Sequence, residues 1–439
     1  MTDLFWFIVF FAVLGSFMGV GQLFIKVGLN AEWSRKTVHI GVGCFSLGFP
    51  FMFENRLTVF YLVITAISVF SLLRFNEKLS KGNALLGVER KSFGEFYFLA
   101  AILAVFMLHQ EPYEYLIPMA ILTFADSIAA LVGVKYGRFR ISHFEEGAKS
   151  GEGSMMLFIV AFFCTLIPLQ LMSEVGRVEV LVIAFLIGIL AAVIEMVFVD
   201  GSDNLLLPVL TLTFLRYYVN QSLTSIATNI GIMLVLMIPC LIIYKLTPVT
   251  KLSIVYSLLM AYIILLEGGV IWLIPAAMLF IMFGILPLMP KEERQIPLTY
   301  KVVECNAIIG ICCLIFARLL PAYADILYLA FSLAFACHLI INTYNRLISY
   351  QQCSAVFASV CSILKAIVFI SIPTFLFSEL GNMAFIIYLL FLLLSINFAF
   401  YLTKKFNYPH ITAEKLMGHQ FFVGTLVLIF TLVLAQFIA

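Results

Sequence analysis

Long apolar runs, broken by short polar segments, repeat from Leu4 to the end of this 439-residue chain. Runs of roughly 17–25 apolar residues are long enough to cross a bilayer as helices. The pattern predicts spans at 4–25, 37–53, 57–73, 94–109, 114–136, 154–172, 178–199 and 204–219. Further spans follow from 223–244 to 418–438, for about sixteen in all. The expected fold class is therefore all-α: a polytopic helical bundle integral to a membrane. The first run has no basic stretch before it and no small-residue cleavage site after it. It is expected to be a retained helix and not a signal peptide.

Composition agrees. The chain is 63% hydrophobic and 11% charged, against about 25% charged in a soluble domain, and its mean hydropathy is +1.10. A net charge of +2 gives no reason to expect a nucleic-acid partner. The charges are informative through their placement. All of the 26 Lys and Arg residues except Arg56, Arg177, Arg216, Arg318 and Lys365 fall on one side of the predicted topology. The positive-inside rule makes that side cytoplasmic. A bacterial inner membrane is the expected location. The nine cysteines lie mostly inside apolar runs, with no CxxC pair, and read as small buried hydrophobes.

Polar residues that interrupt the apolar pattern gather in four places, all at the predicted cytoplasmic face. Asp126 sits within the fifth span, and Ala130, Gly133 and Gly137 follow on its helical face. An intramembrane carboxylate usually marks a pathway or a site. The small residues suit either a ligand or a close helix–helix seam. The following loop carries Lys135, Arg138, Arg140, Glu145, Glu146 and then Lys149-Ser150-Gly151-Glu152-Gly153. A lysine with glycine N–H groups can hold phosphates, and a nearby acid can complete a Mg²⁺ site. The same charges also fit an ordinary solvated loop, and no P-loop motif occurs. The seventh span ends in Glu195, Asp200, Gly201, Ser202, Asp203 and Asn204, a turn suited to a cation or simply to capping a helix. Finally, Arg35, Lys36 and His39 open the second span. His39 reads as a base, a phosphate donor or an interfacial residue.

Together these residues resemble the CTP-dependent membrane lipid kinases, a family that includes phytol kinase, dolichol kinase and the CTP-using diacylglycerol kinase. The likeness covers about residues 30–220. It rests on Arg35-Lys36-x-x-His39, Ala125-Asp126-x-x-Ala129 with Gly133 and Gly137, Lys149-Ser150-x-Glu152-Gly153, and Glu195 with Asp203-Asn204-Leu205-x-x-Pro208. Phosphatidate cytidylyltransferases share the Asp-x-x-Ala helix and the Lys-[Ser/Thr]-x-Glu-Gly loop. Their later Pro-Gly-His-Gly-Gly segment is absent here. The resemblance implies transfer of the γ-phosphoryl of CTP to the hydroxyl of a membrane lipid alcohol. It implies Mg²⁺ at Asp126 with Glu152 or Asp203, and phosphates at Lys149, Ser150 and the Gly151 and Gly153 backbone, with Arg35 or Lys36 as a further cation. It places Gly133 and Gly137 beside the nucleotide, His39 as acceptor of the alcohol proton, and Glu195 and Asn204 near the substrate. CDP-lipid synthesis and transport are the competing readings. Beyond residue 245, Lys245-Leu246-Thr247, Gly268-Gly269 and Val303-x-x-Asn306-Ala307-x-x-Gly310 faintly resemble phytyl-phosphate kinases. There, Ala336-Cys337-His338 stands in place of an Ala-Asp-Thr block. Two domains are expected: a lipid kinase-like one at 1–220 and a second helical one at 221–439. Oligomeric state is left open.

Overall fold

The computed structural model describes residues 2–28, 31–75, 93–139, 149–198, 201–247, 249–285, 300–349, 352–377 and a few positions beyond 387. The fold is all-α, with no β-strand among the described residues. Eight of the described helices are long and apolar enough to cross a membrane, and shorter apolar helices at Arg56–Leu72, Gly94–Leu108, Ala307–Leu319 and Tyr388–Asn397 accompany them. This is a multi-pass membrane protein. The described residues do not reach the expected sixteen spans, and the last of these, 418–438, lies almost wholly outside them. So do Arg140, Glu145, Glu146 and Asp200.

The chain divides into two compact units, Met1–Ile226 and Ala227–Ala439. The first contains α1 (Thr2–Lys26), α2 (Ala31–Ser46), a single turn α3 (Phe49–Met52), α4 (Arg56–Phe75) and α5 (Gly94–Leu108). They are followed by α6 (Pro112–Tyr136), α7 (Gly151–Met172), α8 (Arg177–Val197) and α9 (Asp203–Val219). On α8, Val180, Ile183, Ala184, Ile187, Ala191 and Ile194 form one buried face with helical spacing, while Leu181, Phe185 and Ile189 point outward. Both faces are apolar, as a helix between protein and lipid requires. The most buried span of the unit is α6. Around it pack α2, α5, α7 and α9, so a residue on α6 is held from several sides.

The second unit holds most of α10 (Leu223–Leu246), then α11 (Lys251–Ile285), α12 (Tyr300–Leu319), α13 (Ala324–Ser349) and α14 (Ala355–Leu376). The sequence places two spans, 252–266 and 269–289, where α11 runs. The break between them survives as a kink at Gly269, whose φ of 77° favours glycine. The core helix here is α13, in contact with α11, α12 and α14.

Candidate functional site

The polar centre of the first unit is built on an irregularity in α6. Residues Ile121–Ala125 form a π-turn, and the Asp126 N–H bonds back to the Ile121 carbonyl. In an α-helix that N–H would reach Leu122. Here the Leu122 carbonyl instead takes a bond from His39 Nε2 at 3.0 Å. A carbonyl only accepts, so His39 carries its proton on Nε2, and in the neutral ring Nδ1 holds the lone pair. The imidazole packs on Phe98 with ring centroids 4.3 Å apart. One turn earlier on α2, Lys36 Nζ lies 2.5 Å from Asp126 Oδ2, and His39 Nε2 is 3.8 Å from the same oxygen. Both partners of the Lys36–Asp126 pair are almost wholly buried, at 3% and 8% side-chain exposure. A buried charge is tolerated only when paired in this way. On either side of Asp126, the hydroxyls of Thr123 and Ser127 are buried without a hydrogen-bond partner. π-turns of this kind recur at functional sites.

A second ion-pair cluster centres on Lys149. Its Nζ contacts Glu195 Oε1 at 2.9 Å and Asp203 Oδ2 at 3.2 Å. It also donates to the carbonyls of Glu195 and Phe198, the latter at 2.9 Å, and so caps the C-terminal end of α8. A positive φ at Gly201 (86°) turns the chain from α8 into α9 and delivers Asp203 to the lysine. Burial by itself would lower the Lys149 ammonium. The Glu195 and Asp203 carboxylates outweigh it and hold the group above the usual lysine range. Glu195 Oε2 is buried and unpartnered. Asp126 and Glu195 lie within electrostatic range of each other.

The small residues and the glycine loop have a packing use. A Cβ on Gly137 would stand 2.7 Å from Ser150 Cβ, one on Gly153 3.0 Å from the Ala129 carbonyl, and one on Gly133 3.0 Å from Ser150 Oγ. These residues close the seam between α6 and α7. Ser150 caps α7, accepting from the Gly153 N–H at 3.1 Å, and the Gly151 N–H goes to the Phe139 carbonyl at 2.8 Å. The two glycine N–H groups expected to hold phosphates therefore already have partners. Glu152, expected at the metal, is directed to the loop backbone. It accepts from the Arg138 and Phe139 N–H groups at 3.1 and 3.3 Å.

The structure thus brings Lys36, His39 and Asp126 together, and Lys149, Glu195 and Asp203 together. Arg35 lies within electrostatic range of Asp126 and His39. Asn204 Nδ2 donates to the Gly94 carbonyl at 3.0 Å and ties α9 to the start of α5. Beside it stands Glu95, which the sequence reading passes over, although an acid in the first turn of an apolar helix was a visible signal. The direct Lys36–Asp126 pair spans 90 residues, and no local pattern announces it. No three His, Cys, Asp or Glu side chains form a ready cation cage among the described residues. Mg²⁺ needs only one or two carboxylates beside phosphate oxygens and water. The unpartnered Glu195 Oε2, next to Asp203, fits that modest requirement, and Glu152 fits it least.

No family model matches the chain, and no solved structure matches it. It is 31% identical over 204 residues to a phytol kinase of Synechocystis sp., an alignment covering 44% of this chain and 83% of that protein.

Proposed function

The chain belongs to the phytol kinase family, and from that premise we propose that it transfers the γ-phosphoryl group of CTP to the hydroxyl of a membrane lipid alcohol. The observation that carries this reading is the paired-charge interior of the first unit, with Lys36, His39 and Asp126 on one side and Lys149, Glu195 and Asp203 on the other. Phosphoryl transfer needs in-line positioning and neutralisation of spreading negative charge more than covalent help from a protein. Mg²⁺ would be held by Glu195 and Asp203, with Asp126 close by, and would supply that neutralisation at the phosphates. Lys149 is the cation that would turn from the Glu195 and Asp203 carboxylates to phosphate oxygens. The alcohol oxygen bonds to the γ-phosphorus as the bond from that phosphorus to the β-bridging oxygen breaks, and CDP leaves with the electron pair. The hydroxyl proton passes to His39 Nδ1, the ring nitrogen with the lone pair. Asp126 keeps Lys36 and His39 in register.

A kinase built inside a membrane suits a reaction in which neither the substrate's tail nor the product's leaves the lipid. Arg35, Lys36, Lys135, Arg138 and Lys149 belong to the side that the charge pattern assigns to the cytoplasm, where nucleotide is available. A bacterial inner membrane is the proposed location. The Met1–Ile226 unit would carry the chemistry. The Ala227–Ala439 unit would be a degenerate phytyl-phosphate kinase-like partner without a reaction of its own.

The test is a product assay on purified protein in lipid micelles, with Mg²⁺, CTP and a panel of lipid alcohols plus phosphatidate. CDP with a phosphorylated alcohol is expected. Pyrophosphate with a CDP-lipid would move the chain to cytidylyl transfer, and no nucleotide consumption would end the kinase reading.

A further inference from the structure

One small cavity of the first unit touches the site without belonging to either ion-pair cluster. It has a volume of about 50 Å³, roughly a third of the ~150 Å³ that accommodates benzene in an engineered core. A nucleoside does not fit in such a space; the hydroxymethyl end of a chain does. The lining is two-faced. Arg35, His39, Glu95 and Asn204 supply polar groups, and Leu14, Phe70 and Leu99 supply an apolar wall. His39 is common to the cavity and the Asp126 cluster, because its Nε2 lies 3.8 Å from Asp126 Oδ2. A hydroxyl in the cavity is therefore beside the same imidazole that Asp126 orients.

The apolar wall shows where the rest of such a molecule goes. Leu14 is on α1 and Phe70 on α4. α1 packs mainly on α2, and α4 mainly on α5, with little contact between α1 and α4 themselves. α1 is among the least buried of the spans, with Leu4, Phe5 and Ile8 facing outward. Leu14 and Phe70 therefore reach the cavity from two helices that make few contacts with each other.

We infer that this cavity is the acceptor subsite. It takes the hydroxyl end of a long-chain lipid alcohol between Arg35, His39, Glu95 and Asn204, while the tail leaves through the α1–α4 seam. The assignment rests on the kinase reading for the acceptor's chemistry but adds its place, its route and four residues that contact its head. Leu14 and Phe70 become determinants of acceptor shape. The cavity lining includes none of Lys149, Glu195 and Asp203, so changes at Leu14 and Phe70 should act on the acceptor and not on the nucleotide.

The experiment uses the full chain in lipid micelles and a photoactivatable diazirine analogue of a C20 isoprenoid alcohol, with mapping of the labelled residues by mass spectrometry. Phytol kinase turnover is measured alongside. Labels competed by phytol and falling on α1, α4 or α5 near Leu14, Phe70 and Leu99 support the subsite. Labels elsewhere, or labels that phytol does not compete, overturn it whether or not the protein turns over. Competed labels in the seam with no turnover on any alcohol would leave the subsite standing and remove the kinase reading. As a second readout, Leu14→Trp and Phe70→Trp narrow the wall. In folded protein, each should raise the KM for the C20 alcohol about tenfold or more, with the KM for CTP unchanged. Unchanged acceptor KM in both variants would also overturn the assignment.

Discussion

At the scale of single residues, the arrangement of charges separates folding from chemistry. Removing one partner of a buried ion pair leaves the other uncompensated and costs about 3–5 kcal/mol. Asp126→Asn alone therefore confounds two effects, because Lys36 would be left buried without its partner. The double variant Lys36→Met with Asp126→Asn removes both charges. Its thermal unfolding temperature should recover relative to Asp126→Asn, while lipid phosphorylation stays abolished. Recovery of turnover along with stability would exclude Asp126 from the chemistry. Lys149 yields a prediction with a definite pH sign. Its folded pKa is raised, so its stabilisation is complete below the unfolded value of about 10.4 and is lost only as pH rises through the folded value. The gap in unfolding temperature between wild type and Lys149→Met should not narrow from about pH 6 to about 9, because loss of the ammonium makes the neighbouring carboxyls harder to ionise. A gap that closes within that window would show that the ammonium is not held by Glu195 and Asp203.

At the scale of elements, the glycines of the α6–α7 seam make a prediction that a ligand-binding role would not. Gly137→Ala places a Cβ 2.7 Å from Ser150 Cβ, an overpacking that costs about 1–3 kcal/mol. Gly15→Ala and Gly19→Ala on α1 meet nothing within 4 Å, so neither should destabilise the protein in the same thermal scan. The contrast also marks what the sequence makes legible. Apolar run length locates α6, α7, α8 and α9 to within a few residues of their observed ends, because desolvation in lipid dominates where these helices start and stop. The π-turn at Ile121–Ala125 was not legible. It shifts a single hydrogen-bond register inside an unbroken apolar run, and periodicity averages over it. The residue types at the site could be read, since a carboxylate or a lysine in an apolar setting stands out. Their pairing could not. Asp126 with Lys36, and Lys149 with Glu195, depend on which helices surround α6 and α8, and tertiary packing alone determines that.

At the scale of the whole molecule, the comparison with the Synechocystis protein bears on how the chain is organised. An alignment that takes in 83% of that phytol kinase uses only 44% of this chain. Both ion-pair clusters and the acceptor cavity fall within Met1–Ile226. If one unit holds all the reacting groups, the second need not be covalently joined to it. The boundary falls in the first turn of α10, just after a polar connection at Asn220–Ser222. A break there cuts no helix, and exposed loops tolerate breaks best. Co-expression of residues 1–222 and 223–439 as separate chains should restore lipid phosphorylation close to that of the intact protein. The decisive comparison is residues 1–222 alone, recovered folded in micelles by size-exclusion chromatography. Turnover by that piece would confine the chemistry to the first unit. Folded protein that turns over only when 223–439 is present would show that activity requires the second unit, and its half-buried Lys365, bonded to the Met282 carbonyl at 2.9 Å, would become the first residue to substitute.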